Sequence, residues 1–130
     1  MTVYVQFNHG ITTESVNALT NAIGSIISND NQGNIDLDDL YILFNSGGGQ
    51  VDPGISLFNC LNGLSYPITM HNVGGVDSVA TVIFLAGDTR YAAPGSSFLF
   101  HGVAQQFQQG LTLSLPRLRE QLSSLEKDQE

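Results

Sequence analysis

Three stretches of this 130-residue chain place reactive side chains or free backbone where chemistry is possible. Asn45-Ser46-Gly47-Gly48-Gly49 directly follows the apolar run Leu40-Tyr41-Ile42-Leu43-Phe44. In α/β sheets ligands sit beyond the carboxyl ends of strands, and glycines there let backbone N–H groups approach a ligand closely. An ordinary strand-to-helix turn that needs positive φ explains one of these glycines well and all three poorly. Phosphate binding lacks both the Gly-x-Gly-x-x-Gly spacing and the P-loop lysine. Gly74-Gly75-Val76-Asp77-Ser78 occupies the equivalent junction before the next helical stretch. A serine there is either an N-cap or a nucleophile whose developing negative charge is eased by the N–H groups of the helix terminus. The nucleophile needs a base, and His101, ending the strand-like run Ser97-Phe98-Leu99-Phe100, is placed to bring an imidazole to the same crevice. His9 and His71 are competing bases, each also readable as a structural or surface histidine.

The elements that must position these groups follow from periodicity. Val3–Phe7 is β-rich and ends at Asn8-His9-Gly10, a strand closed by a turn. Val16, Leu19, Ile23 and Ile26 recur at three or four residues, with a threonine as N-cap, which predicts a helix over 13–28. The polar run 29–34 reads as a surface loop. Leu40–Phe44 has the continuous apolar pattern of a parallel strand covered on both faces. Ile55, Phe58, Leu61 and Leu64 mark a second helix starting near Pro53, and 67–73 returns to strand. Ser78–Ala86 is apolar all round, the signature of a buried helix, stopped by Gly87. Short strands follow near 89–92 and 97–101, and after a glutamine-rich loop Pro116 opens a last helix carrying Leu118, Leu122 and Leu125. Alternation of strand and helix gives an α/β layered class with a mostly parallel sheet. One domain is expected, with a core over about 1–104 and a helix over 111–130.

Composition narrows the function classes. With 42% apolar and 12% charged residues the chain has material for a real core. A net charge of −8, with four basic residues in all, repels nucleic acid and anionic membrane. No apolar run approaches the roughly 20 residues of a membrane span, and the N-terminus lacks signal-peptide character, so a cytoplasmic location is expected. Cys60 is the only cysteine, which excludes an internal disulfide and a thiolate metal cluster and reads as small apolar filler in a helix.

Phe44–Val51, then Gly75–Ala80, then Arg90-Tyr91-Ala92-Ala93-Pro94-Gly95-Ser96, then Phe100-His101 resemble, in order and spacing, the proteolytic subunit of the Clp protease, over roughly residues 3 to 104. That family carries an Asn-Ser-Pro-Gly-Gly loop, a serine in Ala-Ser-Met-Gly-Ala, and a histidine after an Arg-Tyr-Ala-x-Pro-x-Ser segment. The resemblance implies a sheet flanked by helices in the fold shared with crotonases, and a serine endopeptidase acting on peptides or unfolded proteins. It makes Ser78 the nucleophile and His101 the base, sets the N–H groups of Gly49 and Val79 toward the oxyanion with Gly48 shaping the loop, and requires no metal or organic cofactor. It also implies a homo-oligomer packed through the last helix, a handle in that family, and an AAA+ unfoldase as partner, although the docking loop that would precede Val3 is absent.

This sequence departs from the pattern at Gly47, where the family has proline, at Asp77 before the serine, and at Ala80. No residue matches the family's acidic triad member, which lies beyond the handle helix, so truncation within that helix and weak activity are expected. Two rival readings are a catalytically inactive assembly or binding subunit and a crotonase-like thioester enzyme, the latter short of basic residues for nucleotide phosphates. A serine-lysine dyad is disfavoured because Lys127 is the only lysine. On sequence alone, Gly49→Ala is expected to damage turnover more than stability.

Overall fold

The computed structural model describes residues 1–100 of the chain. His101 and the expected last helix with Leu118, Leu122 and Leu125 lie outside the described residues. The described elements run β1 (Thr2–Asn8), α1 (Thr13–Asn31), β2 (Asp39–Ser46), α2 (Val51–Asn62), β3 (Ile68–Asp77), α3 (Ala80–Phe84), β4 (Thr89–Ala92) and β5 (Ser97–Leu99). The fold is α/β, with every described strand pair parallel in the order β1-β2-β3-β4. β2 holds one edge of β3, so β4 at Thr69–Asn72 and β5 at Gly75–Asp77 share the other edge end to end.

One face of the sheet, with Phe7, Leu40, Ile42, Phe44, Ile68 and Met70, is buried together with Val16, Leu19 and Ile23 of α1 and Leu57 and Leu61 of α2. Each such side chain contributes about 1.5–3 kcal/mol on full burial. β2 alternates between buried and half-buried residues, so the expectation of two equally covered faces does not hold among the described residues. On the second face Tyr4, Tyr41, His71 and Tyr91 form a row of ring contacts, and Tyr41 Oη lies 2.8 Å from His71 Nδ1.

Local chemistry explains the helix boundaries. Thr12 caps α1 through a reciprocal box, Thr12 Oγ1 accepting the Ser15 N–H and Ser15 Oγ accepting the Thr12 N–H, both at 3.0 Å. α1 continues through Asn31 rather than stopping at 28, because its last turn is tied to the rest of the fold. Asp30 accepts the Leu37 N–H at 2.8 Å and the Tyr66 hydroxyl, contacts that override the turn preference of the polar run. Cys60 lies in α2 as expected but is exposed, a correction to its role as filler: α2 buries Leu57 and Leu61, and Cys60 falls off that stripe. Among the described residues no helix is long and apolar enough to cross a membrane.

The Leu37 N–H and then the Tyr66 hydroxyl hold the Asp30 carboxyl below the usual carboxylate range. A folded pKa below the unfolded one adds stability above the unfolded value of about 3.9, and the contribution is lost as pH falls through the folded pKa. Asp30→Asn is therefore expected to lower the thermal midpoint near pH 7 and to converge with the wild type toward about pH 2. Thermal melts across that range check it, and a constant gap would show that the charge of Asp30 plays no part.

Candidate active site

The carboxyl ends of β1, β2 and β3 converge on Ser78. β3 continues through Gly74 and Gly75 to Asp77, so the stretch expected as a junction is itself strand, and the helix expected over 78–86 is the five-residue α3. The reason lies in Ser78, the one non-glycine residue with positive φ among those described, at 59°. A left-handed backbone breaks the helix before it starts, and a non-glycine residue pays about 1–2 kcal/mol for it. Ser78 is held there by its own main chain. Its N–H donates to Leu99 O at 2.8 Å, and its carbonyl accepts the Thr81 N–H at 3.0 Å and the Thr81 hydroxyl at 2.7 Å. The N-cap of α3 is Val79, with no side-chain cap bond, so Ser78 does not serve as the capping serine. A sharp, strained turn from strand to helix is the arrangement that presents a serine hydroxyl clear of its sheet.

The glycine loop meets this turn directly. Gly48 is buried with φ 90°, and a single carbon added to it would come within 2.6 Å of Ser78 Cβ, 2.8 Å of Asp77 O and 3.2 Å of Ser78 Oγ. Its N–H donates to Ser46 Oγ at 3.2 Å. Gly49 forms an isolated parallel bridge with Ile11, in which Gly48 O accepts the Ile11 N–H and Ile11 O accepts the Gln50 N–H, both at 2.8 Å. In such a bridge the bonds come from the residues on either side, so the N–H of Gly49 faces away from Ile11. Val79 is fully buried against Gly54 of α2, where an added carbon would lie 2.6 Å from Val79 Cγ2. Thus Gly48, Gly49, Ser78 and Val79 are brought to one place.

The other candidates fall elsewhere. The Asp77 carboxylate turns back along β3, its oxygens 3.7 and 3.8 Å from where a side chain on Gly75 would begin. His71 is engaged by Tyr41, and His9 is exposed with its ring edge on Phe7. Asp88 accepts the Ile68 N–H at 2.8 Å and secures the start of β3, while Asp52 is exposed in the first turn of α2. Among the described residues no group of three or more His, Cys, Asp or Glu side chains is arranged to hold a metal ion. Sequence reasoning assigned no role to Ile11 or Gly54, whose partners are distant in the chain, nor to Ser46 and Thr81, whose bonds to Gly48 and Ser78 depend on the local turns.

The expectation for Gly49→Ala needs correction. At φ 148° an added carbon there would come within 2.3 Å of Ile11 O, a backbone atom that cannot step aside, so the variant damages the fold as well as any activity. Gly47 has nothing within 4 Å of that position and no positive φ. Gly47→Ala is expected to raise stability by about 0.4–1 kcal/mol through the unfolded chain. Gly48→Ala is expected to lower it by at least about 1–3 kcal/mol. Denaturant melts of the two variants decide, and the reverse order would mean that Gly48 does not abut Ser78.

Comparison with known proteins bears on the family and the fold. A family model described as Clp protease matches residues 3–127. The ATP-dependent Clp protease proteolytic subunit 2 of Pseudomonas aeruginosa is 33% identical over 66 residues, covering 49% of this chain and 33% of that protein. The protein of the same name from Borreliella burgdorferi is 26% identical over 91 residues, covering 68% of this chain and 46% of the relative. The matched stretches therefore span less than half the length of these curated relatives. Among solved structures, ClpP1 from Listeria monocytogenes superposes with a TM-score of 0.70 at 22% identity, over 96% of this chain and 70% of that one. The ClpP protease catalytic domain from Plasmodium falciparum gives 0.67 at 26% identity, over 95% and 65%. With the family model taking in nearly the whole sequence and the same fold in its solved neighbours, this chain belongs to the Clp protease family.

Proposed function

We propose that this chain is the core of a serine endopeptidase that cleaves peptides or unfolded proteins through an acyl-enzyme on Ser78. The observation that carries the reading is the left-handed Ser78 at the end of β3, in contact with the buried Gly48. Ser78 Oγ attacks the peptide carbonyl carbon while His101 takes the hydroxyl proton. Negative charge gathers on the carbonyl oxygen in front of the Gly49 and Val79 N–H groups. Gly48 shapes the loop, its own N–H being committed to Ser46 Oγ. The C–N bond then breaks as His101 gives the proton to the leaving amine; water, deprotonated by His101, attacks the acyl carbonyl, the bond to Ser78 Oγ breaks, and His101 returns that proton to the Ser78 oxygen. A missing N–H donor in such a site typically costs about 10²–10³ in rate.

The reading carries further proposals. The chain is one core domain over about 1–104 followed by a helix over 111–130 that packs on a second copy. The relatives named above are ATP-dependent, which supports an ATPase partner that feeds unfolded chains. Two rivals remain distinct. An inactive assembly subunit draws on Asp77, but a carboxylate turned back over Gly75 leaves the serine unopposed. A crotonase-like thioester enzyme would need cations for nucleotide phosphates, and Arg90 is the only Lys or Arg among the described residues.

The deciding measurement is mass spectrometry after a fluorophosphonate probe. An adduct on Ser78 is expected, lost in Ser78→Ala with the fold intact and severely weakened in His101→Ala. Absence of any adduct on a folded wild type would leave the inactive-subunit reading standing.

A further inference from the structure

β2 and β3 change register just before the site. Phe44 pairs with Asn72, and the next pair is Ser46 with Val76. Between those pairs β2 contributes Asn45 alone, whereas β3 contributes Val73, Gly74 and Gly75, so β3 carries two extra residues. The offset between the strands rises from 28 (72 minus 44) to 30 (76 minus 46). An even shift keeps every side chain on its own face, which is why Val76 stays buried beside Ser46. It also decides what lies level with the glycine loop. At the first offset Gly48 would stand beside Val76; at the second it stands beside Ser78, where the close contact is found.

A bulge exposes backbone groups that need partners and a space that needs filling. The Asn45 side chain supplies both. Its Oδ1 accepts the Gly75 N–H at 2.9 Å, and its Nδ2 donates to Asn8 Oδ1 at 2.7 Å at the end of β1. Gly74 gives the amide room, since an added carbon there would come within 2.7 Å of Asn45 Oδ1. Asn72 closes the rest, its Oδ1 accepting the Gly74 N–H at 3.0 Å and its Nδ2 donating to Ser97 O at 2.9 Å. We infer that Asn45 is a positioning residue for Ser78: its amide plugs the two-residue bulge in β3 and so sets the level of the serine against Gly48 and Gly49. The catalytic consequence rests on the proposed role of Ser78, whereas the geometric claim does not.

The test uses the full chain. Asn45→Ala is expected to lower the limiting rate of fluorophosphonate labelling by about 10- to 100-fold, the scale set by misplacing a reacting group by around an ångström. The half-saturating probe concentration should stay within about twofold, since probe binding is not what the amide controls. Asn45→Asp, which keeps an acceptor for the Gly75 N–H, should recover most of the rate. Ile23→Val, a remote core change costing about 0.5–1.5 kcal/mol, serves as the stability control and should label as the wild type does. Amide NMR shifts of Gly48, Gly49, Gly75 and Ser78 should move in Asn45→Ala and stay in place in Ile23→Val. If Asn45→Ala does not fold, Asn8→Ala, at an exposed residue, loosens the same amide and should move the same resonances by less. Wild-type labelling in folded Asn45→Ala, or unmoved Ser78 and Gly48 amides, overturns the inference. A wild type that takes no label but shows the amide displacements keeps Asn45 as the positioning residue and removes the peptidase reading instead.

Discussion

The site depends on one strained residue kept in place from both sides. Ser78 sits left-handed where a side chain is disfavoured, and a conformation of that kind persists only when its surroundings over-determine it. Leu99 O takes its N–H, while Thr81 donates twice to its carbonyl. β5 and α3 are therefore both fastened to the serine, and the T-shaped contact of Phe84 with Phe98, ring centroids 5.3 Å apart, fastens them to each other. A relaxed Ser78 would extend α3 backward and carry the hydroxyl away from the glycine loop.

The loop answers with an equal lack of freedom. Gly48 and Gly49 are locked between Ser78 on one side and the Ile11 backbone on the other, so the loop has little conformational entropy left to lose when a substrate carbonyl arrives. Its outer end is different. Gly47 is exposed and unconfined, and it stands where the family's Asn-Ser-Pro-Gly-Gly loop has proline. An added side chain there meets nothing within 4 Å, so the position does not need glycine for room.

Behind the loop, apolar and polar layers divide the labour. Phe44, Ile42 and Met70 press one face of the sheet onto α1 and α2, which restricts the register to even offsets. Asn8 and Asn45, at the ends of β1 and β2, and Asn72, within β3 beside its bulge, make directional bonds that select one offset. Burial of one face forbids an odd slip, and amides bonded to named N–H groups choose among the even offsets.

The parallel α/β class, α1 with its Thr12 cap, α2 from near Pro53 and the candidate roles of Ser78 and the glycines were legible in the sequence, because each depends on neighbours in the chain: apolar spacing, a cap, a run of glycines after a strand. The family resemblance added the pairing of those segments. Only the tertiary structure decided that Gly74 and Gly75 belong to β3, that α3 is one turn rather than two, that the Asp77 carboxylate turns away and that Asn45 fills a bulge. The site as a whole is set by residues 20 or more positions apart meeting in space: Leu99 with Ser78, Asn45 with Gly75, Ile11 with Gly49. Local spacing records which residues are able to act, whereas strand register, an equilibrium among long-range pairings, decides which of them touch.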